Sequence, residues 1–326
     1  MNRYDKPMEA KYYWEWLALQ GVSALMSLGT MTQANRRARF LSHIGKRILR
    51  SEWAWANTNL NLVYGPQLTP NAREKLATLA FENIFCSFME GMRADEMHFE
   101  NEGIEHLHQA CRLGRGVILC SIHLGCWEPG LKQLAKVSQI PAVIVYREAN
   151  NPLSEKAWMA LRASYGVEWL PRGNNRGTLR ALQEKKLLGL MIDIGTGKGG
   201  VTAPHLGIPA LCPPGPAKLA IHFQCPIVPI VATRRGADQA TFRVGEPIEP
   251  PLGNQEGMIP LLTDKINRAF DNWIHTYAEQ YNWLHSRWRR RPEGADWKVQ
   301  EEIENLWKFR TAPFSPLSER VLKLIS

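Results

Sequence analysis

The chain has 326 residues, 44% of them hydrophobic and 22% charged, with a formal net charge of +9. That composition excludes an intrinsically disordered chain, and the length suits one large domain or a domain with a helical extension. The positive excess favours anionic partners such as lipid headgroups, phosphorylated glycolipids, nucleic acid or an acidic protein.

No signal peptide is expected at the start of the sequence, because no clean apolar core precedes a small-residue cleavage site. Residues 13–31 are apolar but contain Glu15 and Gln20, which makes a poor membrane-spanning helix. Bulky Trp14, Trp16, Leu17, Val22, Leu25 and Met26 lie between Lys6 and Lys11 on one side and Arg36, Arg37 and Arg39 on the other. Such a segment reads as a helix lying in or dipping into a membrane face, or as an ordinary amphipathic core helix. Helical spacing continues over residues 33–64, with Phe40, Leu41, Ile44, Ile48 and Leu49 opposite Arg39, Lys46, Arg47 and Arg50. Gly65-Pro66 breaks it. The expected organisation is therefore an N-terminal helical, membrane-associating region over 1–64 and a second unit over 65–326. Thr69-Pro70 starts the next helix, predicted to run towards Met92 with Phe81, Ile84, Phe85 and Phe88 facing a core.

From there strand-like and helical runs alternate. Strands are predicted at 117–122, 142–146, 187–192 and 226–233, with 240–244 pairing antiparallel nearby. Helices are predicted at 131–137, 153–165, 177–185, 217–223 and 258–281. This alternation predicts an α/β fold: a mixed, largely parallel central sheet covered by helices. The six cysteines form no Cys-x-x-Cys pair, which points to a reducing compartment and no disulfide framework.

The run 116–122 reads as a buried strand, and His123-Leu124-Gly125-Cys126-Trp127-Glu128 follows it directly. Pro129 is expected at the first position of the next helix. His123 then ends a strand and Glu128 begins a helix, which is where open α/β sheets place their chemistry. Of the nine histidines, only His123 has an acid at the fifth position along. Spacing alone leaves a structural histidine as the alternative. Gly125 allows a sharp turn, and a helix start favours an ionised carboxylate.

This run resembles the His-x4-Glu signature of the lipid A biosynthesis acyltransferase family, with Cys126 where that family usually has Asn. Asn59-Leu60, Val145-Tyr146-Arg147, Asn150-Asn151-Pro152, Pro214-Gly215-Pro216-Ala217 and Tyr281-Asn282-Trp283-Leu284-His285-Ser286-Arg287-Trp288 resemble further family segments. The sequence departs from the family at Ile194 and at His205-Leu206-Gly207. The resemblance implies transfer of a fatty acyl chain from acyl-carrier protein, or from coenzyme A, to a hydroxyl of a lipid A precursor. It implies no cofactor beyond that acyl donor, and no metal. The implied partners are the carrier protein, an anionic glycolipid acceptor and the membrane surface, at the cytoplasmic face of the bacterial inner membrane.

In that chemistry His123 is expected to be the general base, and Glu128 to hold its ring in one tautomer. Arg162 and Asp193 fall on functional positions of the family; Arg162 is expected to bind a phosphate or an oxyanion, with Asp193 as its partner. Arg147 and Arg176 are further phosphate candidates. The departures leave open another glycolipid or an amino-acid-derived lipid as acceptor. A basic protein that binds nucleic acid or membranes without catalysis is the reading from a different class.

Three other features resolve to plainer readings. Residues 195–200 satisfy Gly-x-Gly-x-x-Gly, but Pro204 and Pro209 follow where a dinucleotide site needs a helix, so a glycine-rich active-site loop is expected. His106 and His108 lack the further ligands of a metal site. The run Arg287-Trp288-Arg289-Arg290-Arg291 fits an anchor on anionic lipid, a nucleic-acid patch or a solvated face.

Overall fold

A computed structural model describes residues 9–196, 199–253, 257–290, 310, 313 and 316–326. Four helices come first: α1 (Ala10–Ser27), α2 (Met31–Ile48), α3 (Arg50–Tyr64) and α4 (Pro70–Met92). Thr30 and Gln33 form a capping box at the start of α2, and the Thr69 side chain caps α4 with Pro70 in its first turn. The single helical run expected over 33–64 is two helices, because Leu49 leaves helical geometry at φ −93°, ψ 57°.

The remainder alternates as β1 (His98–Glu102), α5 (Ile104–Arg112), β2 (Val117–Gly125), α6 (Trp127–Val137), β3 (Ala142–Tyr146), α7 (Pro152–Arg162), β4 (Glu168–Pro171), α8 (Asn175–Gln183) and β5 (Leu187–Met191). A hairpin of β6 (Val201–His205) and β7 (Ile208–Cys212) follows. Then come α9 (Gly215–Phe223), β8 (Ile227–Arg234), β9 (Gln239–Val244), α10 (Met258–Thr276) and α11 (Glu319–Ile325). Seven strands form one sheet in the order β1-β9-β8-β2-β5-β3-β4, parallel except for the β8–β9 pair. The expected α/β architecture is thus present.

Helices cover both faces of this sheet, which explains the unbroken apolar runs of its middle strands. Along β2 the side chains alternate between two cores. Ile118, Cys120, Ile122 and Leu124 enter one, which α3, α4 and α10 close. Val117 and Leu119 enter the other, shared with Met26, Met31, Ala34 and Ala38 of α1 and α2. The first two helices therefore bury one side against the sheet domain. On their other side Trp14 (72% exposed), Phe40 (66%) and Ile48 (74%) stand in solvent, together with Tyr13, Leu17 and Ile44. No described helix is long and apolar enough to cross a membrane.

Several expected boundaries move: the helix expected over 258–281 ends at Thr276, and the strand expected over 117–122 runs on to Gly125. α6 begins at Trp127, so Pro129 is its third residue rather than its first. The Gly-rich stretch leads into β6, a strand and not a helix, which removes the dinucleotide reading; Gly197 and Lys198 within it lie outside the described residues.

Candidate active site

The site begins with an irregularity in β2. Ser121 pairs with Ile230 of β8, but the next pairing is Gly125 with Ala232. Three residues of β2 thus oppose one of β8, and His123 is the middle one. Bulges of this kind re-aim a side chain next to active sites. Gly125 closes the bulge with φ +63°, and a Cβ there would lie 2.1 Å from the Ala232 carbonyl oxygen. Only glycine fits. The Cys126 amide then donates to Ala232 O at 2.9 Å, and α6 starts. Cys126 itself is buried, with its thiol against the same carbonyl and its pKa pushed up by burial, so it is packing and not a nucleophile.

The ring of His123 is bonded to Asp193, just beyond β5. Nδ1 of His123 lies 2.8 Å from Oδ1 of Asp193, and the His123 amide donates to Oδ2 at 2.9 Å. Strand pairing produces this geometry. β5 is the parallel neighbour of β2, with Ser121 opposite Met191, so both chains reach the same edge two residues later. An ionised carboxylate only accepts, so Nδ1 carries the proton and Nε2 is left as the basic nitrogen. Burial opposes ionisation of Asp193, but the His123 charge, the ring and amide hydrogen bonds from His123, and the nearby His285 outweigh it. Its carboxyl is held well below the usual range. Burial likewise lowers the His123 pKa, but the Asp193 charge and hydrogen bond, helped by Glu128, raise it above the ordinary 6.5.

Glu128 was expected to orient this ring, and Asp193 to pair with Arg162. The structure exchanges the partners. Arg162, at the end of α7, grips Glu128 through Nη2–Oε1 and through Nε–Oε2 at 3.2 Å. Both side chains are mostly buried. The guanidinium also sits over the rings of Trp169 (4.5 Å), Tyr146 (5.6 Å) and Trp158 (5.7 Å). A cation so enclosed is held by its carboxylate and its aromatic faces. The physical reason for the exchange is the direction of α6: in its first turn, Glu128 faces α7 rather than the strand edge. Its charge still reaches His123, whose pKa it helps to raise. Arg147 and Arg176 are exposed, and neither bonds to these groups among the described residues.

A second histidine enters the site from the C-terminal segment. Residues 281–288 return to the bulge: Leu124 forms an isolated bridge with Tyr281, and the Asn282 amide donates to His123 O at 2.9 Å. Asn59 of α3 pins the segment by donating to the carbonyls of Trp283 and His285, both at 2.7 Å. The His285 ring then stands edge-on to His123, 5.0 Å between centroids, and the Trp127 ring is likewise edge-on to His123 at 5.2 Å. Its tautomer follows from its neighbours. The Leu284 amide donates to Oδ1 of Asn282 at 3.1 Å, which fixes that side-chain amide. Nδ2 of Asn282 must then donate to Nε2 of His285, 3.0 Å away. The neutral His285 proton is therefore on Nδ1, for which no protein acceptor is found among the described residues. Burial, with the His123 charge, pushes the His285 pKa down to about 4, so the ring is neutral at ordinary pH. His285 was not singled out as a site residue from the sequence; its only signal was its place in the segment 281–288.

The other sequence candidates separate from the site. His108 bonds to Val137 O at 3.1 Å, and no group of metal-binding side chains occurs among the described residues. Arg287 is 3% exposed and donates to Leu211 O, and Trp288 is 1% exposed, so these two do not form a surface anchor. Arg289 and Arg290 are exposed, and Arg291 lies outside the described residues.

An apolar cavity of about 360 Å³ lies beside α7, lined by Leu19, Val22 and Met26 of α1, Phe88 of α4 and Trp158. Trp158 lines this cavity and also flanks the Arg162 guanidinium.

The family described as bacterial lipid A biosynthesis acyltransferase matches residues 3–290. The lipid A biosynthesis lauroyltransferase of Escherichia coli K12 is 27% identical over 300 residues, covering 88% of this chain and 95% of that protein. The palmitoleoyltransferase of the same organism is 25% identical over 289 residues, 86% and 90% of the two chains. A phosphatidylinositol mannoside acyltransferase of Mycolicibacterium smegmatis is 26% identical over 190 residues, 57% and 60%.

Proposed function

This chain belongs to the bacterial lipid A biosynthesis acyltransferase family and is an acyltransferase, and from that premise we propose that it moves a fatty acyl chain from a thioester to a hydroxyl of a lipid A precursor. The His123–Asp193 pair is the observation that carries the reading. Nε2 of His123 takes the proton of the acceptor hydroxyl as its oxygen attacks the thioester carbon. Asp193 keeps the ring in the tautomer that leaves Nε2 free and stabilises the imidazolium. The Nδ1–H of His285 is a neutral donor beside the base and suits the oxygen that becomes negative in the tetrahedral intermediate. When the intermediate collapses, the carbon–sulfur bond breaks and the His123 proton passes to the departing thiolate. No covalent acyl-enzyme is needed. Glu128 adds negative potential at His123, and its Arg162 partner closes the aromatic wall beside it.

The cavity between α1 and α7 suits the acyl chain. The net charge of +9 suits an acidic acyl-carrier protein as donor and an anionic acceptor. The exposed Trp14, Leu17, Phe40 and Ile48, with Arg36, Arg39, Arg47 and Arg50 near them, suit a helix pair resting on anionic lipid at the cytoplasmic face of the inner membrane.

Purified protein, given acyl-carrier thioester and a lipid A precursor, is expected to add one acyl chain by mass spectrometry; His123→Ala is expected to add none. Absence of transfer by the wild type rejects the reading. A second acceptor class, a mannosylated phosphoinositide, is favoured by the similarity to the phosphatidylinositol mannoside acyltransferases. Lipid profiles of cells with and without the protein separate the two acceptors.

A further inference from the structure

A second pocket opens on the other side of the β2–β8 junction. It has a volume of about 430 Å³ and lies between α2, α4, the β8–β9 turn and α11. Five arginines line it: Arg36 and Arg39 of α2, Arg234 and Arg235 at the end of β8, and Arg320 of α11. Three have carboxylate partners. Arg234 grips the buried Glu90, with Nη2–Oε2 at 2.6 Å, while Arg235 pairs with Glu100 and Arg320 with Glu279. Arg36 and Arg39 form no ion pair among the described residues, and the Arg39 charge lies close enough to Glu90 and the Cys86 thiol to favour ionisation of both. The one further acid on the wall is Glu82, 3.9 Å from His43. The wall thus keeps a positive excess inside a concave surface, where the field of a charge is concentrated.

The pocket is firmly built. Arg234 donates to Asn83 Oδ1 at 2.6 Å, and its backbone is clamped on both sides by Gln280, amide to Oε1 at 2.8 Å and carbonyl to Nε2 at 3.1 Å. Oδ1 of Asn35 and Oε2 of Glu279 lie behind this wall, closed to solvent and without a hydrogen-bond donor among the described residues. Phe40, four residues after Arg36, and Leu324, on the wall, place exposed apolar surface at the rim.

We propose that this pocket binds a phosphate ester, with Arg36 and Arg39 as the anion-binding side chains and the fixed Arg234 as its floor. Fork-shaped guanidiniums match phosphate oxygens, and the volume accommodates the polar unit that carries the phosphate. The site is separate from the His123–Asp193 pair and needs no assumption about the acyl acceptor. A lipid headgroup and a small soluble ester present the same oxygens, and the experiment distinguishes them.

Titration calorimetry with glycerol 3-phosphate reads the soluble source. Sedimentation with vesicles of pure phosphatidylcholine, or of an equimolar mixture with phosphatidic acid, reads the headgroup. Arg36→Gln with Arg39→Gln is compared with Arg112→Gln with Arg172→Gln, which removes the same charge from exposed positions outside the pocket and away from α1 and α2. The pocket pair is expected to weaken binding about tenfold or more, as loss of charged hydrogen bonds does, and the control pair about twofold at most. Binding of glycerol 3-phosphate assigns a soluble ester; binding confined to phosphatidic acid vesicles assigns a headgroup. The proposal is overturned if neither probe binds, or if the control pair weakens binding as much as the pocket pair.

Discussion

Asp193→Asn tests the exchange of partners at its centre. The carboxylate accepts two hydrogen bonds from one residue, from the amide of His123 at 2.9 Å and from its ring at 2.8 Å. An asparagine has one acceptor oxygen. The backbone N–H can only donate, so the oxygen must serve it, and the NH₂ is left facing Nδ1. The ring can meet that donor only by accepting on Nδ1, which moves its proton to Nε2 and removes the base. A wrong-tautomer histidine in a triad costs about 10⁴ in kcat, or roughly 5.4 kcal/mol of barrier at 1.36 kcal/mol per tenfold. Glu128→Gln leaves the tautomer intact and is expected to cost far less, about tenfold. The assay is single-turnover acyl transfer followed by mass spectrometry, from about pH 5 to 8, where imidazole titrates. The wild-type rate rises with pH through a base whose pKa is above 6.5, and the remaining activity of Asp193→Asn loses that limb. If Asp193→Asn kept its rate within tenfold while Glu128→Gln lost about 10⁴, the assignment of Asp193 as the orienting acid would be wrong.

The same pair makes a pH-dependent contribution to stability. The depressed Asp193 contributes fully above its unfolded value of 3.8, and that contribution fades as the pH falls towards its folded value; the raised His123 contributes fully below 6.5 and loses this as the pH rises through its folded value. Urea unfolding of wild type against Asp193→Asn should therefore show its largest difference between these two values, about 1.5–3 kcal/mol for a charged hydrogen bond. Arg162→Met leaves Glu128 without its partner and is expected to lose about 3–5 kcal/mol, whereas Glu128→Gln with Arg162→Met together loses less than the sum; a purely additive double-mutant cycle would count against the pair. Gly125→Ala is expected to cost more than about 2 kcal/mol, because it needs both a left-handed residue and relief of the 2.1 Å approach to Ala232 O; unchanged stability by chemical denaturation would contradict the bulge geometry. Val22→Trp narrows the apolar cavity and should shift donor preference to shorter acyl chains in a competition assay; an unchanged preference removes the cavity from chain recognition.

Local features were readable from the chain, and distant pairings were not. β2, β3, β5 and β8 announce themselves because strands buried on both faces are continuous apolar runs. β1 reads His-Phe-Glu-Asn-Glu and is an edge strand, paired among the described residues with β9 alone, so it carries no apolar pattern. The β6–β7 hairpin was missed because Pro204 and Pro209 argue against strands. Its turn rests on positive φ at both Leu206 (52°) and Gly207 (73°), and leucine does not signal that conformation. His123 was found by its spacing from Glu128, yet spacing along a chain does not fix direction in space. The true partner, Asp193, is seventy residues away and is delivered by the pairing of β2 with β5. Strand order is a property of the folded sheet, and nothing local to Asp193 encodes it. His285 was hidden for the same reason, because the Leu124–Tyr281 bridge and the hydrogen bonds of Asn282 and Asn59 bring it back to the bulge.

That bridge has a consequence for synthesis. The carbonyl of His123 and the edge of its ring are held by residues 282 and 285, which leave the ribosome long after β2 and β5. A nascent chain that has already made both strands still lacks the brace that steadies its imidazole. A chain stopped before residue 281 therefore holds His123 without the Asn282 hydrogen bond and without the His285 ring beside it.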